Sequence, residues 1–600
     1  MPRPRLFGPL LRYELLTSAR RVRYYALRGG YVAALGFILW IAYHMALGNP
    51  DGRGTQQAIR ANASVASNFA AAFGYAQLAA ALLLVPALLA PALTAEKERR
   101  TIDYLLTTDL TDRELILGKF AARLLVASLP VVAGIGLLGI CQVFGGLDAG
   151  EILTLTIVTL TAMVSVGALA MLASVRIART RDALLAAYLL TALALGLPHV
   201  VSTSTQYWIA LKHPSGGSAT APIPAWLVAA RDGSEGWRWT EPFYLIHERG
   251  AGRVWKGPTE DLRFFAGVHL GAGALMLLVA WLTVRGRRRA ELAGAGGASA
   301  RWWRRRIFRT GWRMPLGWLP AMVWKEYFFA RAMAFWPTLL AGLCSFAWLF
   351  ACVVQVVNGN DASLTASMES AWRVGVVAFG LWTTLATAIR AATAVPTEIA
   401  QDTWAFLLAT PLRPGQIVFG KAVGALRPLA MYAGFLLLGG AAAWIGSVEV
   451  SLPLVAALTT TAGLCVFFAG AGLWIGAAAQ RTGPALLGTL GVFAIVNGVG
   501  QLAALLTSAF LAMAFQMSAP GFEHAAEIWT MSFPATMLSA ASGIGIQKLG
   551  WSAAEVTVGA CWVAAHFLLG LTLLAIMVRQ FPTLVGRGEG PRRPEGVARP

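Results

Sequence analysis

Long apolar runs separated by short polar or charged segments recur along the whole chain. About 20 apolar residues suffice for a helix to cross the hydrocarbon core of a bilayer, which is roughly 30 Å thick. The pattern predicts twelve such spans, six in each half of the chain. Those of the first half lie near 25–47, 64–93, 121–144, 152–175, 183–203 and 264–284. Those of the second half lie near 334–357, 372–395, 423–446, 452–479, 484–514 and 552–578. We therefore expect an all-α polytopic membrane protein.

A charged, turn-bearing segment between two of these runs occurs twice. A shift of 302 positions places Glu398–Lys421 on Glu96–Lys119 without a gap. Eight of the 24 aligned positions are identical, where ordinary residue usage predicts roughly two. The identical residues of the first copy are Glu96, Thr101, Leu105, Leu106, Thr108, Leu110, Gly118 and Lys119. The chain is interpreted as a tandem duplication.

The duplication predicts the domain organisation. Six spans is an even number, so the second copy inserts with the orientation of the first and the two repeats are parallel. We expect a first six-helix half over 1–284, and a second over 318–579. Between them lies a basic linker containing Gly and Ala over 285–317, and a disordered tail follows over 580–600.

A basic, partly apolar segment precedes the first span of each half. Pro9–Arg23 and Pro320–Ala332 mix Leu, Val or Phe with Arg, Lys and Glu. Each is predicted to form a helix along the inner membrane surface, with its basic side chains at anionic headgroups. The alternative is a plain positive flank of the following span.

Charge and composition support the membrane assignment and set its orientation. Only 13% of the residues are charged, against about 25% in soluble proteins, and 57% are hydrophobic. A net charge of +20 would suggest a nucleic-acid partner in a soluble chain. Here the excess of Lys and Arg falls on alternate connections, which places both termini and both duplicated segments in the cytoplasm. The five cysteines include no CxxC pair, so neither a disulfide framework nor a metal site is predicted.

Local signals predict two short helices joined by a turn within each duplicated segment. In the first copy, Thr94 is expected to cap a helix that continues through Glu96 and carries an apolar stripe made by Ile102, Leu105 and Leu106. Trp404, Leu407 and Leu408 form the stripe of the second copy. After a turn, the T-x-x-E pair of Thr111 and Glu114, and in the second copy Pro414, are expected to begin the next helix. Lys119 and Lys421 are expected to extend toward lipid headgroups.

The duplicated segment resembles the signature of ABC-2 type permeases, the membrane subunits of ABC transporters. The first copy has E-x-E-x-x-T, a Leu pair and Gly-Lys, and the resemblance extends over both halves. In that family this inner loop couples the spans to a separate ATP-binding subunit. The resemblance implies two fused half-permeases of the cell inner membrane, an ATP-binding cassette partner in two copies, and export of an unidentified substrate. Carried over by position, the coupling role falls on Glu96, Glu98, Thr101, Gly118, Lys119, Glu398, Thr403, Gly420 and Lys421.

Two positions depart from the family pattern. Asp109 stands where proline is usual, although Pro411 keeps it in the second copy, and Ala400 replaces the second glutamate. The second copy is therefore expected to couple more weakly or to contact a different face of the partner. Alternatively, the acidic side chains only solvate the loop. On either interpretation their removal is expected to leave the protein folded.

One stretch imitates a nucleotide-binding motif. Gly415–Ala422 matches G-x-x-x-x-G-K, but alanine occupies the position where a P-loop has the Ser or Thr hydroxyl that binds Mg²⁺. We therefore expect a transport subunit without an ATPase site or a cofactor of its own.

Two other classes of function stay open at the level of sequence. An ion-coupled secondary transporter also has two parallel six-helix halves, but it usually needs ionisable groups near the middle of the membrane. His269 and His566 are the candidates, and they do not align between the halves. A multi-pass membrane enzyme would need a metal cluster or paired catalytic groups. An outer segment offers carboxylates without diagnostic spacing, namely Glu235, Glu241, Glu248, Glu260 and Asp261.

Overall fold

The computed structural model describes residues 8–20, scattered positions of 25–39, 55–108, 110–143, 148–195, parts of 228–250, 260–292, 320–326, 362–445, 451–499 and 553–585. Every regular element among these residues is helical. The described residues form two compact units, whose boundary at Trp303 and Arg304 lies in the predicted linker.

The first unit contains nine main described helices, besides a short helical stretch over 28–33. They are α1 (Gly8–Ala19), α2 (Thr55–Leu89), α3 (Pro91–Glu98), α4 (Ile102–Thr107), α5 (Asp112–Val143), α6 (Ala149–Arg176), α7 (180–195), α8 (Pro242–Gly250) and α9 (Glu260–Leu292). The helix α9 continues eight residues into the predicted linker, so the first part of that segment is helical.

The second unit contains a similar series among its described residues. Its helices are α10 (Ala321–Trp324), α11 (Ala362–Thr393), α12 (Pro396–Ala400), α13 (Trp404–Ala409), α14 (Pro414–Ala425), α15 (Arg427–Ile445), α16 (Ser451–Ala479), α17 (Thr482–Ala494) and α18 (Ala553–Val585). A short π-helical turn, Ile495–Val499, follows α17.

Eight described helical segments are long and apolar enough to cross a membrane. They are Phe73–Glu98, Asp112–Ile140, Ala149–Arg176, Glu260–Gly286, Gly375–Thr393, Pro414–Leu438, Leu454–Ala479 and Ala560–Leu584. Each contains most of one predicted span. The span near 334–357 lies outside the described residues, as does most of that near 25–47. Those near 183–203 and 484–514 are helical as far as 195 and 499. The count of twelve and the parallel repeat remain predictions.

A central helix organises the core of each unit. In the first unit α6 packs against α2, α5 and α9, and in the second α16 packs against α11, α17 and α18. The crossing of α16 and α18 is close, because a Cβ at Gly470 would lie 2.6 Å from the carbonyl oxygen of Gly570. Only glycine permits two helix backbones to approach so nearly. In contrast, α9 exposes Leu275, Leu278 and Leu282, as expected of a helix that faces lipid.

Two helix starts were correctly predicted from local signals. At the start of α5 the Thr111 amide and hydroxyl donate to the Glu114 carboxylate, and the Glu114 amide donates to the Thr111 hydroxyl. This reciprocal arrangement is the capping box. Pro414 occupies the first turn of α14, where its missing N–H leaves no bond unmade.

Candidate functional site

The first of the two helices expected in the first duplicated loop, from Thr94 through Leu106, is divided into α3 and α4. Thr94 does not cap a helix, because α3 already begins at Pro91 and the Thr94 hydroxyl donates to the Ala90 carbonyl oxygen. Then α3 ends with Arg100 in the left-handed region, at φ 59°. The Arg100 amide donates to the Lys97 carbonyl oxygen and the Thr101 amide to that of Glu96. This pair of bonds is a Schellman motif, which stops the helix and turns the chain sharply.

The second loop has the same local geometry. Asp402, the counterpart of Arg100, has φ 56°. The Asp402 amide donates to the Ile399 carbonyl oxygen and the Thr403 amide to that of Glu398. Aspartate adopts this conformation more readily than arginine, because its short polar side chain can bond locally. Both loops therefore make the same turn with different residues at its tightest point.

This turn explains why a glutamate and a threonine recur five positions apart. Because the chain doubles back, the Thr101 hydroxyl reaches the Glu96 carboxylate and donates to Oε2. The Thr403 hydroxyl donates to Glu398 Oε2 in the second loop. In each case one carboxylate oxygen is bound within the turn, which leaves the other available for a cation.

That cation is the lysine of the Gly-Lys pair. Lys119 Nζ lies 3.4 Å from Glu96 Oε1, and Lys421 Nζ lies 3.4 Å from Glu398 Oε1. Both lysines are only 2% exposed. The expectation that they extend to lipid headgroups is therefore wrong for this structure, since each ammonium is directed into its own unit.

Each lysine has a second carboxylate partner that the sequence analysis missed. Lys119 Nζ lies 3.3 Å from Glu14 Oε1 of α1, and Lys421 Nζ lies 3.2 Å from Glu326 Oε1, just after α10. We name Glu14, Glu96 and Lys119 the first lysine cluster, and Glu326, Glu398 and Lys421 the second. The two additional glutamates align at a shift of 312 and not 302. The presence of a glutamate in each of the segments Pro9–Arg23 and Pro320–Ala332 is a weak signal that could have pointed to them.

The glycine before the lysine has a steric role in the second unit. A Cβ at Gly420 would lie 2.8 Å from the Cβ of Met322, which belongs to α10. A Cβ at Gly424 would meet the Cβ of Glu326 at 2.6 Å. These two glycines let the segment 321–326 lie directly on α14. Gly118, the counterpart of Gly420, is buried in α5, against which α1 packs.

Glu98, expected to face a partner, is instead buried and bonded within the first unit. Its carboxylate accepts hydrogen bonds from the Thr180 amide at 2.8 Å and the Thr180 hydroxyl at 3.0 Å. Lys97 Nζ donates to the Val175 carbonyl oxygen at 2.6 Å, so α3 is bonded both to the end of α6 and to the start of α7. Ala400 cannot make the carboxylate bond in the second loop. The replacement of the second glutamate by Ala400 therefore removes a bond that anchors the loop within its unit.

The apolar stripe of each loop is at least partly buried within its own unit. Ile102 is fully buried in the first loop. In the second, Trp404 and Leu407 join a core cluster with Met577 and Phe581 of α18, the last of the described helices. The Trp404 and Phe581 rings lie 5.8 Å apart. The stripe is thus the surface by which the loop rests on the spans.

Each loop presents one aromatic residue on its opposite, exposed face. Tyr104 is 76% exposed and Phe406, its counterpart at a shift of 302, is 77% exposed. Thr107 and Thr108 beside Tyr104 are also exposed. Single exposed apolar residues are common on protein surfaces. Their recurrence at the same position of two loops with the same turn marks this face as a candidate contact surface.

The electrostatics of the second cluster favour its charged form. Burial alone would raise the pKa of Glu398, but the charge of Lys421, the Thr403 hydroxyl and the charge of Lys325 together lower it to about 2. Lys325 Nζ lies 3.1 Å from Glu398 Oε1. The first cluster has Tyr13 at the position that corresponds to Lys325. One lysine therefore faces two glutamates in the first cluster, whereas two lysines face two glutamates in the second.

The remaining sequence candidates lie apart from the two loops. His269 contacts Ser165 Oγ at 2.6 Å and the Thr240 carbonyl oxygen at 2.9 Å, and His566 Nδ1 lies 2.8 Å from the Trp562 carbonyl oxygen. Both histidines are hydrogen-bonded packing residues in this arrangement. The P-loop-like stretch Gly415–Ala422 lies within α14, so its backbone has helical geometry and not that of a phosphate-binding loop.

Comparison with known proteins supports one family. Residues 25–262 match the model of the ABC-2 family transporter protein. The matched region contains the first loop and three of the eight candidate membrane helices, and it ends at the start of a fourth. No curated protein and no solved structure matches the chain.

Proposed function

We propose that this protein is the membrane-spanning subunit of an ABC-2 type transporter and that a separate ATP-binding subunit drives it. One observation carries the proposal. Two loops, one in each unit, combine the same Schellman turn, a buried lysine between two glutamates and an exposed aromatic residue at the same position, and the first of them lies within the region that matches the family. A rigid loop with one exposed face is suited to pass force from a partner to the membrane helices.

The proposal assigns different roles to the two faces of the loop. The residues first identified from the sequence form the inner framework, in which Glu96, Lys119 and their counterparts hold the turn and fasten it to the spans. The outer face, with Tyr104 and Phe406, makes the contact with the ATP-binding subunit. Two loops of the same geometry would accommodate two copies of that subunit.

Orientation and direction follow the same proposal. The excess of basic residues on alternate connections supports a cytoplasmic position for both loops and both termini, in the inner membrane of the cell. The cytoplasm is the compartment in which ATP is available to the partner. Export of the substrate is proposed from the family resemblance.

The buried carboxylates favour this function over ion-coupled transport. Among the described residues, the buried acidic side chains are Glu98, Asp182 and Glu241. Glu98 is the last residue of α3, Asp182 lies in the first turn of α7, and Glu241 immediately precedes α8. A proton or ion relay would place such groups near the middle of the membrane.

The test is binding of a candidate ATP-binding cassette protein, sought among the genes adjacent to the one that encodes this chain. Tyr104→Ala and Phe406→Ala, combined in one variant, should reduce co-purification of that protein. Removing an aromatic side chain from an interface centre costs about 2 kcal/mol, or roughly thirtyfold in affinity. The matched control is Phe264→Ala, since Phe264 is 53% exposed near the opposite end of the first unit's spans. Undiminished binding by the double variant, or an equal loss in the control, would refute the contact surface.

A further inference from the structure

In both units, the short helical segment that precedes the first predicted span is bonded to the loop through the buried lysine. In the first unit α1 packs on α5, and Lys119 of α5 lies within 3.4 Å of one carboxylate on α1 and one on α3. One ammonium group thus joins α3 and α5, which flank the loop, to α1, whose Glu14 lies 105 positions from Lys119. The same arrangement links α10, α14 and α12 in the second unit.

The recurrence is spatial and does not follow from the repeat alone. The loops align at a shift of 302, whereas Glu14 and Glu326 align at 312. The chain between the short helix and the loop therefore differs in length by ten residues, yet a carboxylate meets the lysine at 3.2 to 3.3 Å in both units. A surface ion pair formed by chance would not be expected to recur in this way.

Because the lysines are buried, their contacts with the carboxylates restrict how far the helices can move apart. An exposed ion pair is weak, because water screens it and the side chains move freely. A buried ammonium group has exchanged its hydration for protein oxygens and loses that compensation if a carboxylate moves away. The Lys421 ammonium group also donates a hydrogen bond to the Ala394 carbonyl oxygen at 2.9 Å, which is a third protein oxygen in place of water.

We propose that Lys119 and Lys421 are positioning residues that hold the loop and the preceding short helix as one body, so that both move together when the loop is displaced. The inference deepens the proposed function, since the displacement it serves is the one that the ATP-binding subunit would impose. The short helix then becomes part of the coupling element, although it is remote from the loop in sequence.

The two clusters should respond differently to loss of their lysine. In the first cluster, loss of Lys119 leaves Glu14 and Glu96 without the cation between them, so they repel, and the charge of Arg99, which also acts on Glu96, contributes less than that of Lys119. In the second, loss of Lys421 leaves Lys325 still bonded to Glu398. The first unit should therefore depend more strongly on its buried lysine.

A distance measurement on the purified chain in lipid nanodiscs tests the inference without any partner. After replacement of the five native cysteines, spin labels are attached at Tyr13→Cys and Tyr104→Cys, both at exposed positions. Lys119→Met should turn a single narrow distance distribution into a broad one. Lys421→Met, which belongs to the other unit, should leave this distribution unchanged. Glu14→Gln, which keeps the bond from Lys119 to Glu96, should broaden it less than Lys119→Met, and this milder variant decides the question if Lys119→Met does not fold.

The reciprocal pair, Ala321→Cys with Phe406→Cys, tests the second unit. Lys421→Met should broaden this distribution, but less than Lys119→Met broadens the first. Distributions that stay narrow in the folded Lys119→Met and Glu14→Gln variants would overturn the inference and leave the proposed function intact.

A second measurement separates the inference from the proposed function. ATP turnover of the co-purified ATP-binding protein is compared with and without Glu14→Gln. Broadened spacing together with reduced stimulation supports the positioning role in coupling. Broadened spacing with unchanged stimulation would overturn that role, while binding of the partner would still support the proposed function.

Discussion

Replacing Glu398 with Gln should destabilise the second unit in a manner that depends on pH. The environment of Glu398 lowers its pKa from 4.5 to about 2. At about 1.4 kcal/mol for each pH unit, this difference corresponds to roughly 3 kcal/mol in favour of the folded state. Since the side chain remains 17% exposed, we expect about 2 kcal/mol to be realised.

The sign of the pH dependence follows from the lowered pKa. A carboxyl group that ionises more easily in the folded state contributes its full stabilisation above the pKa of the unfolded state, which is about 4.5. That contribution is lost as the pH falls toward 2. The difference between the wild type and Glu398→Gln should therefore be constant between pH 8 and pH 5 and should decrease below about pH 4.5.

Thermal unfolding in detergent, followed by tryptophan fluorescence, measures this difference. For a unit of this size, about 2 kcal/mol corresponds to a fall in Tm of roughly 4 to 8 °C at neutral pH. Asp402→Asn is the matched control, because Asp402 is exposed in the same loop and asparagine also tolerates its left-handed conformation. The electrostatic reasoning fails if both variants shift Tm equally, or if the effect of Glu398→Gln is the same at pH 3 and pH 7.

Two further substitutions test the packing around the loops. Glu98→Ala should lower the stability of the first unit by about 1 to 3 kcal/mol, because the buried amide and hydroxyl of Thr180 lose their acceptor; an unchanged Tm would mean that the carboxylate is solvated after all. Gly420→Ala should destabilise the second unit by about 1 to 3 kcal/mol through overpacking against the neighbouring segment. Gly415→Ala is its control, since a Cβ there would make only an ordinary contact at 3.9 Å, and equal shifts in Tm for the two would contradict the close approach.

The sequence by itself determined the features that depend on neighbouring residues. Thr111 and Glu114, which form the capping box, are only three positions apart. Their bonds therefore need no contact with a distant part of the chain. The apolar spans are similarly local, because hydrophobic length alone decides whether a segment can cross a membrane. The recurrence of Glu, Thr, Gly and Lys also marked the loops as the candidate site, although it did not reveal what these residues contact.

Only the tertiary structure decided which side chains face inward. Nothing in the local pattern distinguishes Glu98, which is buried against Thr180, from an acidic residue that solvates a loop. The left-handed turn at Arg100 was missed for a related reason, since arginine is not a residue that favours this conformation. The apolar stripe was visible in the sequence, but its burial against Phe581 depends on a helix more than 150 residues away.

The lysine clusters show the same division most clearly. The duplicated motif contains a lysine and a glutamate, but not the second glutamate that completes each cluster. That residue comes from a helix 105 positions away in the first unit and 95 in the second. An isolated charge has no periodicity from which a partner could be inferred. Burial removes the ammonium from water, so its partners are whichever carboxylates the packing of the helices brings within reach.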